Sequence, residues 1–158
     1  MAQRINSPSR NGDYIIRKGT VEDYEQIFEL IQAFAVFQKT PEKLMITLEQ
    51  MQKDKDLFEC FVVESDNTII AFASFFFTYY SWSGKGLYLD DLYVTEAYRQ
   101  QNIGKKLLDV VIVFAKAHQC KSVRWLVSRW NKNAINFYKK MGAETEETEM
   151  PCVYKLVY

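Results

Sequence analysis

The stretch from Leu92 to Lys106, Leu-Tyr-Val-Thr-Glu-Ala-Tyr-Arg-Gln-Gln-Asn-Ile-Gly-Lys-Lys, holds the most chemistry in this chain. It reads as the end of a strand, a turn and the start of a helix. Such a junction leaves several backbone N–H groups unpaired, and they share a direction with the positive end of the helix dipole. Arg99, Lys105 and Lys106 add cationic side chains, so the segment suits an anion, although any helix start offers free N–H groups. Gly104-Lys105-Lys106 is not a Walker phosphate loop, because the earlier glycine and the closing Ser or Thr are missing. On the strand just before lies the pair Asp90-Asp91. A carboxylate there can accept a proton, directly or through a water, or simply cap a solvated strand end.

Other chemistries find little support. His118 is the single histidine and no Cys-x-x-Cys pair occurs, so no metal site is expected. That same lone histidine, without a Gly-x-Ser-x-Gly elbow, argues against a serine hydrolase. His118 itself falls at a helix C-terminus, where a surface cation is favoured. Twenty Lys and Arg balance 20 Asp and Glu, leaving no global field for nucleic acid. No apolar run approaches the roughly 20 residues of a membrane span, and the polar N-terminus lacks a secretory core. Cys60, Cys120 and Cys152 are widely separated, which suits reduced thiols in a cytoplasm.

These residues need a scaffold, and 158 residues with 48% hydrophobic content suffice for one domain. Residues 1–12 read as a flexible lead-in and 13–158 as a single domain. Asp13–Lys18 reads as a strand, followed by Thr20 as a helix N-cap and a helix with Tyr24, Ile27, Phe28, Ile31, Phe34 and Ala35 on its apolar face. A second helix follows Pro41 and carries Leu44, Leu48 and Met51. Phe58–Glu64 and Thr68–Tyr79 read as strands around a Ser65-Asp66-Asn67 turn, and Gly86–Val94 as another strand after Ser83-Gly84-Lys85. A helix from Ile103, a strand over Ser122–Ser128, a helix over Asn133–Met141 stopped by Gly142, and a closing strand Cys152–Tyr158 complete a mixed α/β order. Phe75, Phe76 and Phe77 read as strand core and sheet edge.

Three segments then align with one known superfamily. Tyr98-Arg99-Gln100-Gln101-Asn102-Ile103-Gly104 resembles the pyrophosphate loop of the GNAT acyl-CoA N-acyltransferases. Leu92-Tyr93-Val94 resembles the strand end whose backbone holds the pantetheine arm, and Asn131-Lys132-Asn133-Ala134-Ile135-Asn136-Phe137-Tyr138-Lys139-Lys140-Met141-Gly142-Ala143 resembles the Asn-x-x-Ala-x-x-Phe-Tyr-x-x-x-Gly-Ala signature. Phe76-Phe77-Thr78-Tyr79, Trp82, Leu87-Tyr88-Leu89-Asp90-Asp91 and Trp130-Asn131 are similar to the diamine (spermidine/spermine) and thialysine acetyltransferase branch. The similarity runs from about Tyr14 to about Ala143. Where the family usually has Gly, this chain has Gln100 and Asn102. Asn tolerates positive φ best among non-glycine residues, whereas Gln100 adds a side chain beside the loop.

The resemblance implies a mixed, mostly antiparallel sheet of about six to seven strands with about four helices. It implies acetyl transfer from acetyl-CoA to a small primary amine, diamine- or lysine-like, by direct attack and without a metal. Asp90 stands where the family has a Glu base, one methylene shorter, so a bridging water is expected. Tyr138 becomes the acid for the departing thiolate, and the Leu92 N–H the donor to the thioester oxygen. Cofactor contacts are expected from Leu92, Tyr93, Val94, Arg99, Gln100, Gln101, Asn102, Ile103, Gly104, Lys105, Asn131, Asn133, Ala134 and Tyr138. Acceptor contacts are expected from Trp82, Asp90, Asp91 and Phe37, with Glu149 a further acid. Phe37, Gln38 and Tyr80 occupy positions where the diamine enzymes hold acids, which favours a short amine over spermine. A homodimer is implied too. Two rival readings stay open: a non-catalytic acyl-CoA-binding or dimerisation module, and a peptide or protein N-acetyltransferase.

Overall fold

The computed structural model describes residues 14–146, 151–153 and 155–156. The expected lead-in, Asp13, Glu149 and part of the expected closing strand lie outside them. The chain falls into two compact units, Met1–Trp125 and Leu126–Tyr158.

The first unit carries a five-stranded sheet in the order β1 (Ile15–Lys18), β2 (Glu59–Ser65), β3 (Thr68–Tyr80), β4 (Gly84–Val94), β5 (Val123–Arg124). All neighbours are antiparallel except β4 and β5, which run parallel. Its helices are α1 (Tyr24–Phe37), the short α2 (Leu48–Lys53) and α3 (Ile103–Ala117). The β2–β3 hairpin closes on Asp66 and Asn67, both at positive φ (48° and 61°). That is the two-residue turn whose twist matches the flanking strands, and Asn and Asp enter this region more readily than bulkier side chains.

Two apolar layers sandwich the sheet. Tyr24, Ile27 and Leu30 of α1 and Met51 of α2 pack on Cys60, Val62, Phe72 and Tyr93. On the opposite face Phe114 of α3 meets Phe61 and Phe75 at ring distances of 5.4 and 5.2 Å. Arg17 ties β1 to the start of α1, giving two 2.7 Å bonds to Asp23 and one to Glu64. Asp23 in turn accepts the Thr20 N–H, the return arm of a capping box. Gly19 packs on the sulfur of buried Cys60, where any side chain at position 19 would collide.

The elements differ from the sequence reading at their ends. Thr20 precedes a 3-10 turn, Val21–Asp23, and α1 begins at Tyr24. Pro41 opens only another such turn, and α2 waits for Thr47, whose hydroxyl accepts the Gln50 N–H at 3.2 Å. Leu44 is outside it. The strand expected over Ser122–Ser128 contracts to two residues, and no strand occurs at the described residues of Cys152–Tyr158. The described sheet therefore has five strands, fewer than six to seven.

Candidate active site

The carboxylate pair owes its geometry to a β-bulge. Along β3 and β4, Phe75 pairs with Leu89 and Ser74 with Asp91, so Asp90 is the extra residue on β4. In a regular strand neighbouring side chains point to opposite faces; an inserted residue breaks that alternation. Asp90 and Asp91 consequently both face the α1–α2 side. Asp90 lines a cleft of about 220 Å³ with Ile46, Met51, Leu57 and Phe58, and Asp91 lines one of about 240 Å³ with Ile31, Phe34, Gln38 and Lys43.

Asp90 keeps an open edge to solvent, yet its apolar surroundings raise its carboxyl above the ordinary range. Asp91 is more enclosed. Burial, then the neighbouring Asp90 charge, pushes it up to about 7. A base is most useful when its pKa lies near working pH, and both shifts run that way. The same surroundings and the Asp90 charge raise the Tyr88 phenol.

Beyond the bulge β4 presents an open edge. It pairs with β5 only at Leu87 and Tyr88, leaving Leu89–Val94 without a strand on that side among the described residues. An extended amide-bearing chain can bond along such an edge as an added strand. Leu92, Tyr93 and Val94 lie there, with Tyr93 buried against Phe34 at a ring distance of 5.2 Å.

The turn after β4 carries non-glycine residues at its two left-handed positions. Gln100 and Asn102 both adopt left-handed backbone, φ 61° and 60°, and Asn102 is the N-cap of α3. The N–H groups opening this 15-residue helix stand at its positive end. Gly104 is instructive: a Cβ there would make only ordinary contact, 3.6 Å, with Val94. Internal packing thus does not demand a glycine, and the bare backbone leaves room for a group to approach from outside. The segment suits a pyrophosphate.

The cationic side chains are partly spent within the protein. Arg99 gives its Nε–H to the Val94 carbonyl (2.9 Å) and lies over the rings of Phe37 (4.6 Å) and Tyr93 (5.5 Å). Phe37, expected at the acceptor, thus also braces the turn after β4 through Arg99. Lys105 pairs with Asp109 at 2.7 Å, and Lys106 lies over the Tyr14 ring. Gln101 reaches the Ala97 carbonyl at 3.4 Å, and Ile103 is buried.

In the second unit α4 (Lys132–Lys140) carries Tyr138. Asn131 is its N-cap, accepting the Ala134 N–H on its side-chain oxygen at 3.1 Å. At the other end Gly142 (φ 87°) donates to Lys139 and Ala143 to Tyr138, both at 3.0 Å. These bonds form a Schellman stop. Asn131, Ala134, Gly142 and Ala143 thus define the two ends of one helix, and Asn133 lies exposed in its first turn. Burial pushes the Tyr138 phenol up to about 12.

Trp82 stands fully exposed, at 101%, in the β3–β4 turn and lines neither cleft. Phe75 is buried, whereas Phe76 and Phe77 are exposed. His118 ends α3, its Nδ1 2.9 Å from the Phe114 carbonyl. Sequence reasoning missed Ser74, Asp54 and Lys43 as cleft residues. Ser74, a lone hydroxyl in a run of core aromatics, was the one with a legible signal. Among the described residues no group of three His, Cys, Asp or Glu gathers as for a metal, and no helix is long and apolar enough to cross a membrane.

Comparison with known proteins agrees with this fold. The model of the Acetyltransferase (GNAT) family matches residues 24–143. Mouse thialysine N-epsilon-acetyltransferase is 31% identical over 141 residues, covering 82% of this chain and 83% of that protein. Human spermidine/spermine N(1)-acetyltransferase-like protein 1 is 34% identical over 143 residues, 83% of this chain but only 21% of that longer protein. Among solved structures, aminoglycoside N-acetyltransferase AAC(6')-Iy in complex with CoA superposes with a TM-score of 0.71 over 99% of both chains at 17% identity, which speaks for the fold. On that match and those relatives, the chain belongs to the acetyltransferase (GNAT) family, the acetyl-CoA-dependent N-acetyltransferases.

Proposed function

We propose that the chain acetylates the primary amine of a small diamine- or lysine-like acceptor by direct attack on acetyl-CoA. The bulge carries this reading: two adjacent carboxylates of raised pKa share one sheet face beside an open strand edge. Acetyl-CoA would lie with its pyrophosphate at the turn Gln100–Lys105 and its pantetheine arm along Leu92–Val94. The Leu92 N–H would meet the thioester oxygen as negative charge develops there.

A primary amine of pKa near 10.4 is neutral in only about one part in a thousand at pH 7. Asp90, through a water, takes the excess proton; the amine attacks, and Tyr138 protonates the leaving sulfur. One observation favours a second assignment of the base. Asp91 at about 7 is better matched to neutral pH, so it is the alternative acceptor of that proton.

Gln38 and Lys43 beside Asp91 disfavour a polycation, which supports a short amine over spermine. The names of the thialysine and spermidine/spermine relatives support the same substrate class. The exposed aromatics Phe76 and Tyr79 at the end of β3, and Trp82 in the following turn, support a homodimer in which Trp82 meets the acceptor near the interface. The widely spaced cysteines support a cytoplasmic setting.

The test is acetyl-CoA turnover against diamines, lysine analogues, aminoglycosides and basic peptides. A short amine is expected to show the highest kcat/KM; spermine leading by tenfold would overturn the acceptor assignment. Asp90→Asn is expected to move the pH–rate profile upward, since the reaction must then wait for solvent to deprotonate the amine. A shift with Asp91→Asn alone assigns the base to Asp91.

A further inference from the structure

Ser74 is the residue opposite the bulge, and its hydroxyl is placed by it. Its side chain is buried at 4% exposure in β3, among Ala73, Phe75 and the exposed Phe76. The Asp91 N–H donates to the Ser74 Oγ at 3.2 Å, so the oxygen is engaged as an acceptor. A serine hydroxyl also carries one proton to give. No carbonyl or carboxylate of the described residues takes it. Ser74 lines the same cleft as Asp90, between the apolar walls of Met51 and Phe58. A buried donor without an acceptor costs free energy, and a water or ligand atom in the cleft satisfies it.

We infer that Ser74 is a positioning residue for proton removal, its hydroxyl donating to the water that bridges the acceptor amine and Asp90. This rests on the reading of Asp90 as base. The bridging water has two lone pairs and two protons. One lone pair accepts the Ser74 hydroxyl and the other the ammonium N–H. As the ammonium proton moves onto the water, the water passes one of its own to Asp90. The products are a neutral amine, a water and a protonated Asp90 carboxyl, with the Ser74 proton unmoved. Donation from Ser74 makes the water a stronger donor to the carboxylate and so favours ionised Asp90. The titratable groups facing Asp90 are Asp91 and Tyr88 on β4 and Asp54 just after α2, while Lys43 shares the cleft of Asp91.

Two isosteric variants, Ser74→Thr and Ser74→Val, differ only by the hydroxyl. For Ser74→Val, kcat is expected to fall roughly 3- to 10-fold, the worth of one hydrogen bond. KM for acetyl-CoA should hold, and the acid limb of kcat/KM for the amine should move up by about half to one pH unit. Ser74→Thr should restore both readouts. If a branched side chain prevents folding, Ser74→Ala, smaller than the native residue, is compared with the parent for the same shift. An unmoved acid limb in Ser74→Val or Ser74→Ala overturns the inference, as does equal loss in Thr and Val variants that fold. Asp90→Asn separates the two readings. If it moves the profile and the Ser74 variants do not, Ser74 alone is wrong. If Asp90→Asn leaves the profile unmoved, the base assignment fails first.

Discussion

Tyr138 keeps its proton up to about pH 12, so the phenol is a donor throughout the working range but a weak acid. Against a free thiol near 8.5, complete transfer to a thiolate is uphill by roughly 5 kcal/mol. In the proposed reaction the proton would therefore shift toward sulfur as the C–S bond breaks, with solvent restoring the phenol afterwards. Tyr138→Phe removes only the hydroxyl. It is expected to lower kcat by about 10²-fold or more while KM for acetyl-CoA holds, the signature of an interaction made in the transition state. A loss under about threefold would return Tyr138 to packing. Asp91 yields a different test, in stability. Its carboxyl, raised from the ordinary 3.8 to about 7, binds its proton more tightly in the native protein than in the unfolded chain. The stabilisation from that proton is complete below about pH 4 and is lost as pH rises through 7. Asp91→Asn should thus melt with the parent at pH 4 and above it at pH 8. Equal melting temperatures at pH 8 would mean that the carboxylate is well solvated.

At the scale of elements, helix centres were legible, as were the start of α3 at Ile103 and the Gly142 stop of α4, whereas the other helix ends were not. The apolar spacing of Ile103, Leu107, Val110, Val111, Phe114 and Ala115 specified α3, and Ile103, Leu107, Val111 and Ala115 among them are buried. Its end is a Schellman stop built on Gln119 at φ 60°, with Gln119 donating to Lys116 and Cys120 to Ala115. The end of α1 uses Lys39 at φ 60° in the same way, donating to Val36 while Thr40 donates to Ala35. Glycine is the readable mark of this motif, and only α4 supplies it, at Gly142. The bulge was equally silent, since Asp90 and Asp91 have the composition of any strand end. Left-handed backbone costs a non-glycine residue about 1–2 kcal/mol, while glycine loses about 0.5–1 kcal/mol more chain entropy on folding. Gln119→Gly should therefore gain about 0.5–1 kcal/mol, raising Tm by roughly 1–4 °C without changing kcat/KM. Gln100→Gly should gain as much and, by baring the turn proposed to hold the pyrophosphate, also tighten acetyl-CoA. A fall in Tm for both would show that their side chains repay the strain elsewhere.

For the molecule as a whole, the order of elements was readable because hydrophobic period and turn residues alternate cleanly from Tyr14 to Trp125. The turn that opens α3 was readable through Arg99 and Gly104, although Phe37 bracing Arg99 was not, being a contact 62 positions apart in sequence. Little of the second unit beyond α4 followed from pattern. The alternation of Cys152–Tyr158 suggested a strand that its described residues do not form. The packing of Gly19 on Cys60 carries a consequence for the intact protein as a reagent. Burial pushes that thiol up to about 12, while Cys120 is half-buried and Cys152 exposed. A thiolate is the species that reacts with disulfides and alkylators, so Cys60 is chemically silent until the sheet opens. A chromogenic disulfide added to native protein is expected to titrate Cys152 first and Cys120 more slowly. The third equivalent should appear at the rate at which β1 and β2 come apart, so Cys60 serves as an internal clock for opening of the sheet.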